Sequence, residues 1–129
     1  MIRRYEKRIL VASEHLDALA HVNNVQYLSW VQDIAQEHWN VLSPQFDLNG
    51  YWVVREHHIT YKKTAVLGDV LIVQTYINNF RGPLSERIVT FSREDGESVV
   101  ECSTQWCLLH SKTHRPMRIP TTVVEKILD

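Results

Sequence analysis

The stretch Leu16-Asp17-Ala18-Leu19-Ala20-His21-Val22-Asn23-Asn24-Val25-Gln26-Tyr27 sets a carboxylate, an imidazole and two side-chain amides directly before a helical pattern. A helix start presents N–H groups without intrahelical partners and a partial positive charge. Such groups can hold the oxyanion that develops on an attacked carbonyl. Asp17, seven residues before Asn24, can attack that carbonyl itself or take a proton from an attacking water. A thioester suits this machinery, because its thiolate leaves without strong acid assistance. The same residue types also make an ordinary helix cap, and by type and spacing alone both readings stand.

Other constellations compete. Asp33 lies inside the helical pattern, one turn before Glu37, and its polar neighbours make a solvated or interface-facing residue the plainer reading. His57-His58 and His110-x-x-x-His114 invite a metal. Adjacent residues of a strand point to opposite faces, the second pair crosses from strand into loop, and no cysteine or acidic cluster completes a site. No metal and no cofactor are expected. Lys62, Lys63, Arg81, Arg87 and Arg93 are candidates for binding phosphate, with solvation at strand ends the plainer account of each.

The elements that must position these groups follow from periodicity. Residues 3–12 alternate, with Tyr5, Ile9 and Val11 on one face, and predict a strand. Residues 13–23 are irregular. Residues 24–42 are the clearest helix: Tyr27, Leu28, Trp30, Val31, Ile34, Ala35, His38, Trp39, Val41 and Leu42 fall within about half the circumference. Asp33 falls in the polar half. So wide an apolar arc calls for concave surroundings, and His38 within it reads as a packed, hydrogen-bonded histidine. Asn23 or Asn24 can cap the start, and Pro44 follows the end. Strands are expected near 52–63, 69–79, 85–94 and 97–110, with Asp95-Gly96 as a hairpin signal. Pro120 opens a final helix from Thr121 to Leu128. The order β-α-β-β-β-β-α, with short connections, gives an α+β domain over residues 1–129: an antiparallel sheet curled around one long helix, its edge strands free to pair into a dimer.

Composition bounds the function classes. The chain has 129 residues, 44% hydrophobic and 22% charged, with net charge −1 and no charge block. A broad nucleic-acid interface needs a concentrated basic footprint, so no nucleic-acid partner is expected. The N-terminal residues lack the apolar stretch of a secretory signal, and no run approaches the roughly 20 apolar residues of a membrane span. Cys102 and Cys107 sit an odd number of residues apart in one strand, so they face opposite ways and are expected to stay reduced. A cytoplasmic location is the expectation.

The string from Asp17 to Tyr27, continued by Leu28-Ser29-Trp30-Val31-Gln32-Asp33, resembles the signature of the 4-hydroxybenzoyl-CoA thioesterase-like family, close to D-x-x-G-H-V-N-N-x-x-Y. Tyr61-Lys62-Lys63-Thr64-Ala65-Val66-Leu67-Gly68-Asp69-Val70-Leu71 resembles the family's second strand and turn, and Arg118-Ile119-Pro120 before a short helix also fits. The resemblance spans nearly the whole chain in order. It implies the hot-dog fold, hydrolysis of an acyl-CoA thioester, and active sites at the interface of a homodimer, with a dimer of dimers as a further assembly. It implies Asp17 as the catalytic aspartate, the backbone N–H of Asn24 as an oxyanion donor, and His21 and Asn23 as residues that shape or assist the site. Lys62 and Lys63 end the strand that the family sets near the site, and with Arg81 are its candidate contacts to coenzyme A. Ala20 stands where the family usually has Gly. Alanine resists positive φ, so the turn is expected to use a conformation alanine permits. Leu19 lacks the side-chain amide of the plant acyl-carrier-protein enzymes, which argues against their version of the site. Two other functions fit the fold: a non-catalytic acyl-binding dimer, and a dehydratase relying on His21.

Overall fold

The structure is a computed structural model and describes residues 3–128. Its elements run β1 (Arg4–Leu10), α1 (Asn24–Leu42), β2 (Gly50–Tyr61), β3 (Val70–Arg81), β4 (Leu84–Ser92), β5 (Ser98–His110) and α2 (Thr121–Leu128), with single 3-10 turns at Ser13–His15 and Ser43–Gln45. The predicted order holds, and both helices match their expected limits. β1 is shorter than the expected 3–12, because Val11 leaves the ladder to exchange backbone hydrogen bonds with Asp69 and Gly68.

The five strands form one antiparallel sheet in the order β1-β3-β4-β5-β2. The two strands nearest the N-terminus are therefore its edges. β4 shows the alternation plainly: Ser85, Arg87, Val89 and Phe91 are buried, and the residues between them are half-buried. The inward face meets α1. Tyr27, Trp30, Val31, Ile34, Ala35, His38 and Leu42 are buried on the helix, as the apolar arc requires. Leu28 and Trp39 are half-buried at its margins, Val41 is exposed, and Asp33 is exposed in the polar half. The sheet wraps the helix as in a hot dog.

The core divides along the helix. Around its first half, Tyr27, Trp30, Val31 and Ile34 pack with Val73, Val89, Phe91 and Val100. Around its end, Leu42 packs with Ile77, Leu108, Ile119 and the α2 residues Val123 and Ile127. Between these clusters runs a buried polar band of His38, Thr75, Arg87 and Thr104. Burying polar side chains is tolerable only where they are bonded. Here Arg87 Nη1 donates to His38 Nδ1 at 2.8 Å and to Thr75 Oγ1 at 3.1 Å, while Thr104 Oγ1 and His57 Nδ1 lie 2.8 Å apart.

Phe91 anchors the first cluster. It is fully buried and meets the ring of Tyr27 edge-on, with centroids 5.1 Å apart. Phe91→Ala is expected to lower stability by about 3–5 kcal/mol, read from urea unfolding at fixed protomer concentration. A loss under about 1 kcal/mol would show that the helix does not depend on this contact.

Candidate active site

The loop before α1 is built by backbone bonds. A bridge between Leu16 and Val22 closes it. Within it Asp17 N–H donates to His21 C=O at 2.8 Å, and Ala20 N–H donates to Asp17 C=O at 3.0 Å. Asp17 is exposed, and its Oδ1 accepts from the N–H groups of Leu19 (2.9 Å) and His21 (3.2 Å). Both side-chain bonds fall on one oxygen. His21 thus holds Asp17 through its backbone.

The expectation for Ala20 is corrected. The residue takes φ 61°, the left-handed region that glycine favours. The Asp17–His21 and Ala20–Asp17 backbone bonds close the loop around this residue, and alanine bears a steric cost of about 1–2 kcal/mol there.

Asn23 caps the helix. Its Oδ1 accepts from Val25 N–H at 2.8 Å, its own N–H donates to His15 C=O, and its C=O accepts from Gln26 N–H, both at 2.9 Å. The N–H of Asn24 makes no hydrogen bond among the described residues. It is the leftover donor at the helix start. Tyr61 Oη donates to Asn24 C=O at 3.3 Å, and Val22 N–H donates to Ala65 C=O at 2.9 Å. The helix start therefore rests on the 62–69 segment.

That segment has its own anchor. Arg93 Nη1 meets Asp69 Oδ2 at 2.7 Å, Nη2 donates to Thr64 C=O at 2.6 Å, and Nε meets Glu97 at 3.1 Å. Asp69 Oδ2 also accepts from Val66 N–H at 2.9 Å. The Asp69 carboxyl is held below its ordinary pKa, first by the Val66 N–H and then, against some desolvation, by Arg93. Close by, burial pushes the Tyr27 hydroxyl up to about 12. Its Oη is buried without a hydrogen-bond partner among the described residues.

The remaining candidates divide. Lys62 and Lys63 follow β2 beside this loop. The N–H groups of both donate to Val99 C=O, and Lys62 Nζ pairs with Glu101 at 3.1 Å. Arg81 ends β3, the 12-residue strand that starts next to Asp69, and lies about 35–40 Å along it. One protomer does not bring Arg81 to Asp17. Arg87 and Arg93 are corrected as candidates for coenzyme A phosphate: Arg87 is 4% exposed in the core, and Arg93 is committed to Asp69, Thr64 and Glu97. Strand parity carried the signal for Arg87, since it shares a face with Val89 and Phe91. His15 went unnoticed in the sequence. Its Nδ1 accepts from Ala12 N–H at 2.9 Å, and its ring meets Trp30 edge-on at 4.9 Å. Cys102 and Cys107 are both free and buried.

Two variants test this scaffold. Ala20→Gly is expected to raise stability by about 0.5–1 kcal/mol, as relief of the left-handed alanine outweighs the added freedom of the unfolded chain; an unchanged urea midpoint would contradict the strain. Because the folded Asp69 pKa is depressed, its stabilisation is present above the unfolded value and fades as pH falls through the folded one. The deficit of Asp69→Asn against the parent protein should therefore shrink below about pH 4. A deficit constant from about pH 7 to about pH 3 would exclude the charge as its source.

A protein-family profile described as the acyl-ACP thioesterase N-terminal domain matches residues 3–127. The chain is 26% identical over 130 residues to the long-chain acyl-CoA thioesterase FadM of Escherichia coli (strain K12), an alignment covering 95% of this chain and 96% of that protein. Among solved structures, the probable thioesterase YbaW from Escherichia coli superposes with a TM-score of 0.82 at 22% identity, covering 95% of each chain. A thioesterase complexed with coenzyme A and Zn from Thermus thermophilus also gives 0.82, at 24% identity, covering 95% of this chain and 90% of that one. These superpositions establish the hot-dog fold. Among the described residues, no helix is long and apolar enough to cross a membrane.

Proposed function

The chain belongs to the family of the acyl-ACP thioesterase N-terminal domain, and on that premise we propose that it hydrolyses an acyl-CoA thioester to the free acid and coenzyme A. One observation carries the reading. A carboxylate and an uncommitted helix-start N–H sit at the two ends of one short loop, at Asp17 and Asn24. The names of the E. coli relative and of the coenzyme A-bound thermophile structure support the choice of substrate class.

In this mechanism the thioester oxygen lies against the Asn24 N–H. Asp17 Oδ2, the oxygen not spent on the loop, either adds to the carbonyl or takes a proton from the water that does. The tetrahedral oxyanion gains its stabilisation from the helix-start N–H. Its collapse expels the coenzyme A thiolate, which leaves with a proton. If Asp17 is the nucleophile, water then opens the acyl-aspartyl anhydride. Asn23 fixes the helix start, and His21 fixes Asp17 through its backbone. Lys63, and Lys62 on release from Glu101, attract the coenzyme A phosphates; Arg81 can reach them only from a second protomer. The free edge of β2 is the surface through which two copies would pair and complete the site, with a dimer of dimers beyond it. The reaction belongs in the cytoplasm, where acyl-CoA is met and both thiols stay reduced.

Asp17→Asn keeps the shape and loses basicity and nucleophilicity. It is expected to lower kcat by about 10²–10⁴ across a panel of aliphatic and aromatic acyl-CoAs, with KM little changed. Full activity on the best substrate would remove Asp17 from the mechanism. One observation favours a second reading, a non-catalytic acyl-binding dimer: the Asp17 carboxylate is turned into its own loop, as in a purely structural turn. Saturable acyl-CoA binding without turnover across the panel would establish it.

A further inference from the structure

Arg87 is 4% exposed and forms no ion pair with any described carboxylate. The acid beside it in sequence, Glu86, faces the other side of the sheet, where it accepts from Asn78 and Ser103. Burial lowers the Arg87 pKa only to about 10, so the guanidinium is charged at neutral pH. A buried, uncompensated charge is among the costliest features a core can hold.

Its hydrogen bonds are one-sided. Nη1 makes both contacts, to His38 and Thr75. Among the described residues nothing accepts from Nε or Nη2. That pair of nitrogens is a flat fork matched to two oxygens of a planar oxyanion. Arg87 lines a cavity of about 40 Å³ together with Ala35, Gln36, Trp39, Trp52 and Trp106. The Nε1–H of Trp106 is buried and has no partner among the described residues. A positive fork and a donor without an acceptor thus line one space, which exceeds the roughly 10–15 Å³ that a single water needs. Trp39 and Trp52 meet edge-on beside it, centroids 5.6 Å apart, and supply an apolar wall.

We propose that this cavity is a binding site for a monocarboxylate, its two oxygens on the free fork of Arg87, with the Trp106 N–H as a further donor and its carbon end against the wall that Trp39 and Trp52 form. The ligand neutralises the buried charge and gives the stranded indole an acceptor. The site is separate from Asp17, at the other half of the helix, and stands whether or not the chain hydrolyses thioesters.

Three of the four tryptophans line the cavity, so their emission reports on it. The full-length protein is titrated with sodium acetate replacing sodium chloride at constant ionic strength, and emission and thermal midpoint are followed. The expected result is a saturable emission change with a rise in midpoint. Arg87→Met should weaken acetate binding at least tenfold, a loss of at least about 1.4 kcal/mol. Trp106→Phe retains the fork, removes only the N–H, and should weaken binding severalfold, which keeps the test open should the Arg87 variant fold poorly. Formate and hexanoate identify the source: tighter binding of formate assigns the site to short free acids, and tighter binding of hexanoate to the heads of longer ones. No saturable response to any of the three acids, or equal responses in the parent protein and both variants, would overturn the proposal.

Discussion

The structure depends on where one helix can go. α1 carries apolar residues around about half of its circumference, two tryptophans among them, and no flat surface covers such an arc. Only a sheet curled about the helix does. Burying side chains of that size contributes about 1.5–3 kcal/mol each before ordering costs are counted. The curl leaves β1 and β2 at the rims and directs the helix start toward the connections at one end of the sheet. The site at that start is a by-product of the packing: its donor is whatever N–H the cap leaves over, and its carboxylate is whatever the entering loop presents.

The loop works because its neighbours are tied to the sheet. Asn23 takes its bonds from Val25 and His15, Val22 hangs on Ala65, and the 62–69 segment is pinned by Arg93 through Asp69 and Thr64. A strained alanine and a shallow turn persist in such surroundings, since strain survives where the environment over-determines it. Arg93, which charge alone suggests as a ligand contact, serves the scaffold instead.

The sequence disclosed what periodicity governs. The helix limits, the element order, the exposure of Asp33 and the burial of His38 all follow from a helical arc and alternating strands. The motif from Asp17 to Tyr27 pointed to the right family of folds. Three other features were hidden for physical reasons. Ala20 sits at positive φ because two backbone bonds close the loop, and closure is not written in residue type. By residue type Arg87 reads as a surface cation; its place on the same face as Val89 and Phe91 contains the contrary information, but a lone charge in a strand reads as solvated unless parity is followed. His15 bonds locally to Ala12, but its ring partner Trp30 lies fifteen residues on and leaves no local trace.

The strand order β1-β3-β4-β5-β2 has a consequence for the chain as it leaves the ribosome. The first half, through Tyr61, contains the long apolar helix and both rim strands, yet none of these strands pairs with another. β1 waits for β3, and β2 waits for β5. Until the end of β5 at His110 has emerged, the two tryptophans of the helix have no complete sheet to enter, and the nascent chain carries an unshielded amphipathic segment. A fold whose middle strands are made last must be guarded during synthesis or complete itself quickly once released. The contacts that seal it come from the strands that arrive at the end.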